Sequence, residues 1–426
     1  ERRLLVTLQA GGYSTENTIE KPMTSAVPFY KESAAARSAR VSAMHLPGSE
    51  FRHGLAIVGT GMIGREHLRV ATLLGRTRVT ALFDTEPASL QQALEEFASY
   101  APRGLPAPKV YDDLDALADD PEVAGIFICT PNYTHFNLVL RLQSCSKALF
   151  VEKPMATTLA DAAEILRMNQ CSPAFIQLGM QYRFKAQYVE AFRAAFDGAL
   201  GAVRTLSMSE YRPPFLDKVG QWNKFNRFSG GTLVEKCCHY FDLINLMAQG
   251  RPQRVFASGG QSVNFIDFSQ DGQQSDIDDH AFVIIDFTGG IRASFTLNMF
   301  SQELQEEMIV CGDRGRLIAT EHSTFKREES SRAEIRVEVE GHDDYHGRDC
   351  TYPAEIERSG HHGATFFEHE AFVDRLEGKA TDAATPLQGL WAIIVASAAQ
   401  SSMTTGQPVE IDDYLAEHNL SEIRNL

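Results

Sequence analysis

Three observations predict a two-domain α/β chain in which a parallel sheet is followed by a larger, mostly antiparallel one. From residue 54 onwards short apolar strands at 55–58, 79–83, 123–129 and 148–151 alternate with stretches of helical spacing, the pattern of βαβ units. A glycine-rich turn, Gly59-Thr60-Gly61-Met62-Ile63-Gly64, joins the first strand to a helix. Beyond residue 203 the strands follow one another through turns instead, at 203–211, 254–258, 280–286, 292–299, 307–310, 316–319 and 334–339. That order predicts an antiparallel sheet.

Residues 1–53 mix Gly, Ser, Thr, Ala and Pro without sustained periodicity and are expected to form an extension or arm. Arg2-Arg3 precedes an apolar stretch too short for an export signal, and Gly48-Ser49-Glu50-Phe51 is compatible with a cloning linker. The first domain, expected over 54–176, opens on the glycine turn. Gly59 permits the tight turn, Gly61 lets backbone approach a pyrophosphate, and Gly64 lets helix pack on strand, with Met62 and Ile63 at the helix start facing phosphates. This is the pattern of a Rossmann dinucleotide-binding domain. Strand 79–83 ends in Asp84, where a carboxylate accepts from ribose hydroxyls and repels a 2′-phosphate. NAD is favoured, with NADP left open, and Asp84 equally suits a cap ahead of Glu86-Pro87. Strand 123–129 runs into Thr130-Pro131-Asn132 and His135, at the carboxyl end of a parallel strand where such sheets bind ligands. His135 also suits a structural place at the start of the next helix.

Strand 148–151 exits into Glu152-Lys153-Pro154, where proline removes a backbone donor and holds the turn that presents the two side chains before it. Lys153 can then donate to a substrate hydroxyl and stabilise an alkoxide as hydride leaves. Gly230-Gly231 opens a helix carrying Glu235, His239 and Asp242, whose offsets of four and three put them on one face. His239 is the candidate general base, since imidazole takes a hydroxyl proton at neutral pH. Arg183 and Trp222 are candidate substrate contacts, with an ion pair and simple packing as their respective alternatives.

Together the glycine turn, Glu152-Lys153-Pro154 and Glu235-x-x-x-His239 resemble the Gfo/Idh/MocA family, the glucose-fructose oxidoreductases and inositol dehydrogenases, from about Gly54 to the C-terminus. The family pattern has Asp where Glu235 stands, so a longer arm carries the same carboxylate. The resemblance implies Thr130, Pro131, Asn132, His135 and Glu152 near the nicotinamide ribose, with Lys153, Glu235 and His239 as the catalytic set. It implies NAD- or NADP-dependent oxidation of a secondary alcohol on a sugar, sugar derivative or cyclitol. Four alternatives stand beside it: with a retained cofactor, a sugar-to-sugar oxidoreductase or redox-assisted glycoside cleavage; a non-catalytic NAD-binding regulator; and an imine- or enal-reducing enzyme of the biliverdin-reductase kind, against which His239 favours alcohol chemistry. Some members carry an N-terminal arm that crosses the cofactor or a neighbouring subunit.

The second domain, expected over 177–426, is an α/β unit whose large sheet has one face covered by its own helices. Its other, open face suits burial against a second copy, which predicts a homodimer or homotetramer. Helices at 363–376 and 387–401 close the chain near the interdomain cleft. Composition excludes several partners. The 426 residues are 43% hydrophobic and 23% charged, and the apolar runs at 123–129 and 391–399 fall short of the roughly 20 residues of a membrane span. Net charge is -16, from 40 basic and 56 acidic side chains, and no basic stripe suits nucleic acid. That field favours a neutral carbohydrate or polyol unless local basic groups compensate. Seven scattered cysteines fit neither a disulfide framework nor a zinc site, which points to a reducing cytoplasm and no metal. The side chains of Cys237 and Cys238, beside His239, diverge on a helix and read as packing.

Overall fold

Runs of Val, Ile, Leu and Phe bounded by turns form a six-stranded sheet in the computed structural model, which describes residues 32–44, 51–102, 104–324, 331–341 and 347–426. Its strands are β1 (His53–Val58), β2 (Thr77–Phe83), β3 (Lys109–Tyr111), β4 (Gly125–Ile128), β5 (Ala148–Glu152) and β6 (Ile176–Gly179). All pair in parallel in the order β3-β2-β1-β4-β5-β6. The strand order reverses between β1 and β4, so the glycine turn after β1 and the Thr130 segment after β4 face one another across a crevice, the ligand position of such sheets.

The second sheet takes β7 (Val203–Tyr211), β8 (Pro252–Gly260), then, past a small hairpin of β9 (Ser269–Gln270) and β10 (Gln273–Gln274), β11 (His280–Phe287) and β12 (Arg292–Asn298). It continues through β13 (Leu304–Gly312), β14 (Gly315–Ser323), β15 (Arg332–Val339), β16 (Arg348–Asp349) and β17 (Val409–Glu410). The order is β16-β15-β14-β13-β7-β12-β11-β8-β17, antiparallel throughout except where β7 meets β12. Alternation decides the faces. On β11, Ala281, Val283, Ile285 and Phe287 are buried, whereas Phe282 and Ile284 are 60% and 52% exposed. The inner face is covered by the helices Ala186–Phe196, Cys238–Ala248 and Pro386–Thr405.

Two expectations about organisation are corrected. The boundary placed between residues 176 and 177 cuts into β6, which belongs to the first sheet through Gly179. The late helix Ala364–Leu376 returns to that first sheet and packs Phe372 edge-on against Phe127, Phe150 and Phe175. A Cβ at Gly125 would meet the Phe372 ring at 2.7 Å, so β4 is bare at that point to admit it. Helical periodicity shows that a face is buried, not which sheet buries it.

Within the N-terminal extension the helix Ala34–Met44 docks on the second domain and on the returning helix. The Ala34 amide donates to Glu190 at 2.7 Å, Arg40 pairs with Glu370 at 2.5 Å, and the Arg37 guanidinium lies 5.4 Å from the Phe367 ring centre. Arg2-Arg3 and residues 48–50 of the linker-like tetrapeptide lie outside the described residues. Among the described residues no helix is long and apolar enough to cross a membrane.

Candidate active site

The three glycines of the turn do three different jobs. Gly59 has φ 92°, and a Cβ there would sit 2.7 Å from the backbone of Cys129. A Cβ on Gly64 would lie 1.9 Å from the Gly59 carbonyl oxygen, so the helix Met62–Leu74 touches the turn directly. Around Gly61 a Cβ would meet nothing within 4 Å. The open glycine is thus the N-cap of a helix whose first amides, from Met62 onwards, have no partner within the helix, a cradle that fits a dinucleotide pyrophosphate. Asp84 is fastened beside it: Oδ2 accepts from the Thr60 amide at 2.6 Å and hydroxyl at 2.9 Å, and Oδ1 from the Glu86 amide at 2.9 Å. Position at the end of β2 and capping coexist in this side chain.

Across the crevice, Thr130 and Thr134 share a hydroxyl contact of 2.6 Å, and Asn132, after Pro131, donates to the Ser229 carbonyl at 3.3 Å. His135 is fully buried between the carbonyls of Pro154 (2.8 Å) and Thr130 (2.9 Å). Burial lowers its pKa although both carbonyls favour the protonated ring, and the ring lies between the exits of β4 and β5, a neutral imidazole donating its single N–H to one of the two carbonyls. His135 takes the structural place.

Glu152 departs from the expected ribose contact. It is 4% exposed, with Oε1 2.9 Å from His67 Nε2 and Oε2 accepting the Lys153 amide at 3.0 Å. His67 Nδ1 lies 2.7 Å from His369 Nε2, and His369 Nδ1 has no partner. One assignment satisfies the chain, with His369 donating to His67 and His67 to Glu152. A carboxylate this buried needs donors, and a helix from each domain supplies them. Nothing in local spacing singled out His67 or His369, because the pair forms only when the late helix returns to the first sheet.

Lys153, joined to Pro154 by a cis peptide, meets Glu235 across the domain boundary. Its Nζ donates to the Glu235 carbonyl at 2.9 Å and lies 3.4 Å from Oε2. Burial works against both charges but is outweighed: Glu235 raises the Lys153 pKa, while Lys153, Lys218, Lys236 and Arg212 lower that of Glu235. The pair is ionic at neutral pH.

The helix expected to carry Glu235, His239 and Asp242 is broken. Thr232–Glu235 and Cys238–Ala248 are separate, with Lys236 at φ -102° and Cys237 at ψ -6° between them. In a continuous helix the Glu235 carbonyl would accept the His239 amide; the break releases that oxygen to Lys153. His239 is 2% exposed and stacks on Tyr182 with centroids 4.1 Å apart and planes 6° from parallel. Its Nδ1 has no hydrogen-bond partner among the described residues. Burial, then the nearby cations Lys153 and Lys236, push its pKa well below 6.5. The imidazole is a neutral, unspent base.

Arg183 and Asp242 leave the reacting set. Arg183, 2% exposed, forms a two-pronged ion pair with Asp242 at 2.6 Å on both prongs and reaches the Asp382 carbonyl and Gln388. This is the ion-pair alternative rather than a substrate contact, because a buried guanidinium demands an equally buried carboxylate. Trp222 is 9% exposed in the turn Val219–Lys224 and lies beneath Lys218, whose Nζ is 5.8 Å from its ring centre. Four residues join the site unforeseen. Tyr182 receives Lys236 Nζ at its hydroxyl (2.6 Å), Lys236 also meets Glu210 at 3.0 Å, and Arg212 and Lys218 complete the charged surround of Glu235. Lys236 follows Glu235 directly and Tyr182 precedes Arg183, but Arg212 and Lys218 have no fixed spacing from the motifs. Cys237 and Cys238 are buried and unpaired.

Comparison with known proteins follows the same division. A model described as "Oxidoreductase family, NAD-binding Rossmann fold" matches residues 53–179, and one described as "Oxidoreductase family, C-terminal alpha/beta domain" matches 196–411. Myo-inositol 2-dehydrogenase of Thermotoga maritima is 24% identical over 62% of this chain and 74% of its own length. The uncharacterized oxidoreductase YrbE of Bacillus subtilis is 24% identical over 84% of this chain and 96% of its own. Levoglucosan dehydrogenase, solved with NADH and levoglucosan, superposes with a TM-score of 0.69 at 15% identity over 84% of this chain and 99% of that one. At that identity the likeness is one of fold.

Proposed function

We propose a function from one premise: the chain belongs to the Gfo/Idh/MocA oxidoreductase family. It is an NAD-binding oxidoreductase acting on CH-OH groups. The reaction we assign is the reversible oxidation of a secondary alcohol on a sugar, sugar derivative or cyclitol, with NAD preferred to NADP because Asp84 closes β2. The names of myo-inositol 2-dehydrogenase and levoglucosan dehydrogenase support that substrate class. The single observation that carries the chemistry is the charged Lys153–Glu235 pair beside a neutral, unpartnered His239.

NAD, held by the Gly59–Gly64 turn and the Thr130–Asn132 segment, would supply the hydride acceptor. The chain's own residues handle the hydroxyl. The Lys153 ammonium donates to the alcohol oxygen and stabilises the negative charge that builds there as C–H bonding electrons depart. His239 takes the hydroxyl proton, so alcohol becomes ketone with one hydride and one proton removed. Glu235 holds the ammonium in place and keeps it protonated. The Gly59–Gly64 turn and the Thr130–Asn132 segment frame the cofactor, and Trp222 walls the substrate side. We assign self-association to the open face of the second sheet, where Phe282 and Ile284 are exposed.

Absorbance at 340 nm with NAD and, separately, NADP across sugars, glycosides, sugar acids and inositols tests the assignment. Wild type should reduce NAD, and Lys153→Ala should lose about 10²–10³ in kcat. A wild type that binds NAD yet reduces it with no alcohol overturns the reading.

A further inference from the structure

We propose that the substrate carries a carboxylate, as a uronate or other sugar acid does, and that Lys218 and Arg212 hold it; this rests on the dehydrogenase reading above. The inference starts from unbalanced charge around the reacting pair. Four cations, Lys153, Arg212, Lys218 and Lys236, surround Glu235. Lys153 is matched by Glu235 at 3.4 Å and Lys236 by Glu210 at 3.0 Å. Among the described residues Arg212 has the longer 3.7 Å approach to the Glu210 oxygen that Lys236 already holds, the Pro213 carbonyl at 3.0 Å and the Phe215 ring 5.4 Å away. Glu152, which also faces Lys218, has its oxygens engaged by His67 and the Lys153 amide. Glu306, which also faces Lys236, is held by Lys185 at 2.7 Å and is no counter-charge for Lys218.

The surplus sits on Lys218. Among the described residues its ammonium has no carboxylate within 4.0 Å and no side-chain hydrogen bond. Every other described lysine has a carboxylate, or in Lys147 two backbone carbonyls. Lys218 is half-buried over Trp222, and the turn after it is set by Gly220 and Gln221, both with positive φ (66° and 55°). Burial of an unmatched cation costs free energy, and an anion arriving with the substrate recovers it. One ammonium without a carboxylate partner fits a singly charged carboxylate rather than a dianionic phosphate. The pyrophosphate of the cofactor belongs at Gly61 after β1, whereas Lys153 follows β5, with β4 between the two strands. Net charge on the whole chain does not decide the matter, because salt screens exposed charges beyond roughly 8 Å.

Matched pairs differing only at the terminal carbon test this: a hexose, its uronate and its 6-phosphate, each assayed with NAD on wild type, Lys218→Met and Lys218→Arg. The expected result is a wild-type KM for one uronate about tenfold or more below that of its hexose. Lys218→Met should close that gap and Lys218→Arg should retain most of it. A hexose or 6-phosphate used as well as or better than its uronate overturns the inference and leaves the dehydrogenase standing, as does a Lys218→Met variant that keeps the preference. If no alcohol reduces NAD, the dehydrogenase reading fails by itself. Calorimetric titration of uronate into NADH-loaded wild type and Lys218→Met then decides whether the anion site exists, equal or absent binding in both overturning it.

Discussion

At His239 the protein environment moves a side chain far from its behaviour in water. Burial disfavours the imidazolium, and the ammonium groups of Lys153 and Lys236 disfavour it further, so the pKa lies well below 6.5. The sign follows directly. A base is competent when unprotonated, and a lowered pKa keeps it so to lower pH. The acid limb of kcat/KM should therefore fall below pH 6.5, and Lys236→Met, which removes one positive neighbour, should move it upwards. Rates from pH 5 to 9 on both proteins check this; a wild-type limb at or above 6.5 would remove His239 from the role of base in this field. The residue types of the site were legible in the sequence because Lys153 follows a buried strand and precedes proline. Their partners were not. Helical offsets put Glu235, His239 and Asp242 together, yet the break at Lys236 and Cys237 separates Glu235, which meets Lys153, from Asp242, which meets Arg183. No Gly or Pro marks that break, so local propensity offered no sign of it.

At the scale of elements, the turn between β1 and its helix separates a folding role from a binding role within six residues. Gly64 has no room, with its added Cβ 1.9 Å from the Gly59 carbonyl, whereas Gly61 has an open side and φ -64°, a conformation any residue adopts. Gly64→Ala should therefore destabilise the domain by about 1–3 kcal/mol or more through overpacking. Gly61→Ala should leave the unfolding midpoint nearly unchanged and raise the dissociation constant for NAD, because its methyl projects where backbone meets pyrophosphate. Urea unfolding and fluorescence titration with NADH separate the two. A Gly61→Ala protein that binds NADH like wild type would place the pyrophosphate elsewhere. This element was readable in advance because its glycines answer to local geometry. The strands β1, β2, β4 and β5 were readable for a related reason: strands buried on both faces are apolar throughout. The edge strand β3 escaped because Lys109–Tyr111 is only three residues long, and its place in the sheet is fixed by pairing with β2.

At the scale of the whole molecule, the described residues leave one face of the nine-stranded sheet without cover. Strand alternation foretold which residues face inwards, but what lies on the outer face depends on pairing across strands. There Ile284 stands directly opposite Phe256, and Phe282, two residues along, lies between Ser258 and Thr296. Phe256, Ile284 and Phe282 are 38%, 52% and 60% exposed. An apolar cluster rimmed by small polar residues is a surface that gains by burial, about 1.5–3 kcal/mol for each large side chain fully covered. In a two-fold contact the same patch is used by both copies, so every such gain is made twice. Two lysines placed there would instead confront like charges from the other copy while leaving the inner face, and hence the fold of the chain, intact. Light scattering after gel filtration should accordingly give wild type a mass of two or four chains, and Phe282→Lys/Ile284→Lys a smaller one with unchanged circular dichroism. A wild type with the mass of one chain would remove the assignment, and a double variant that keeps the wild-type mass would move the contact to another surface.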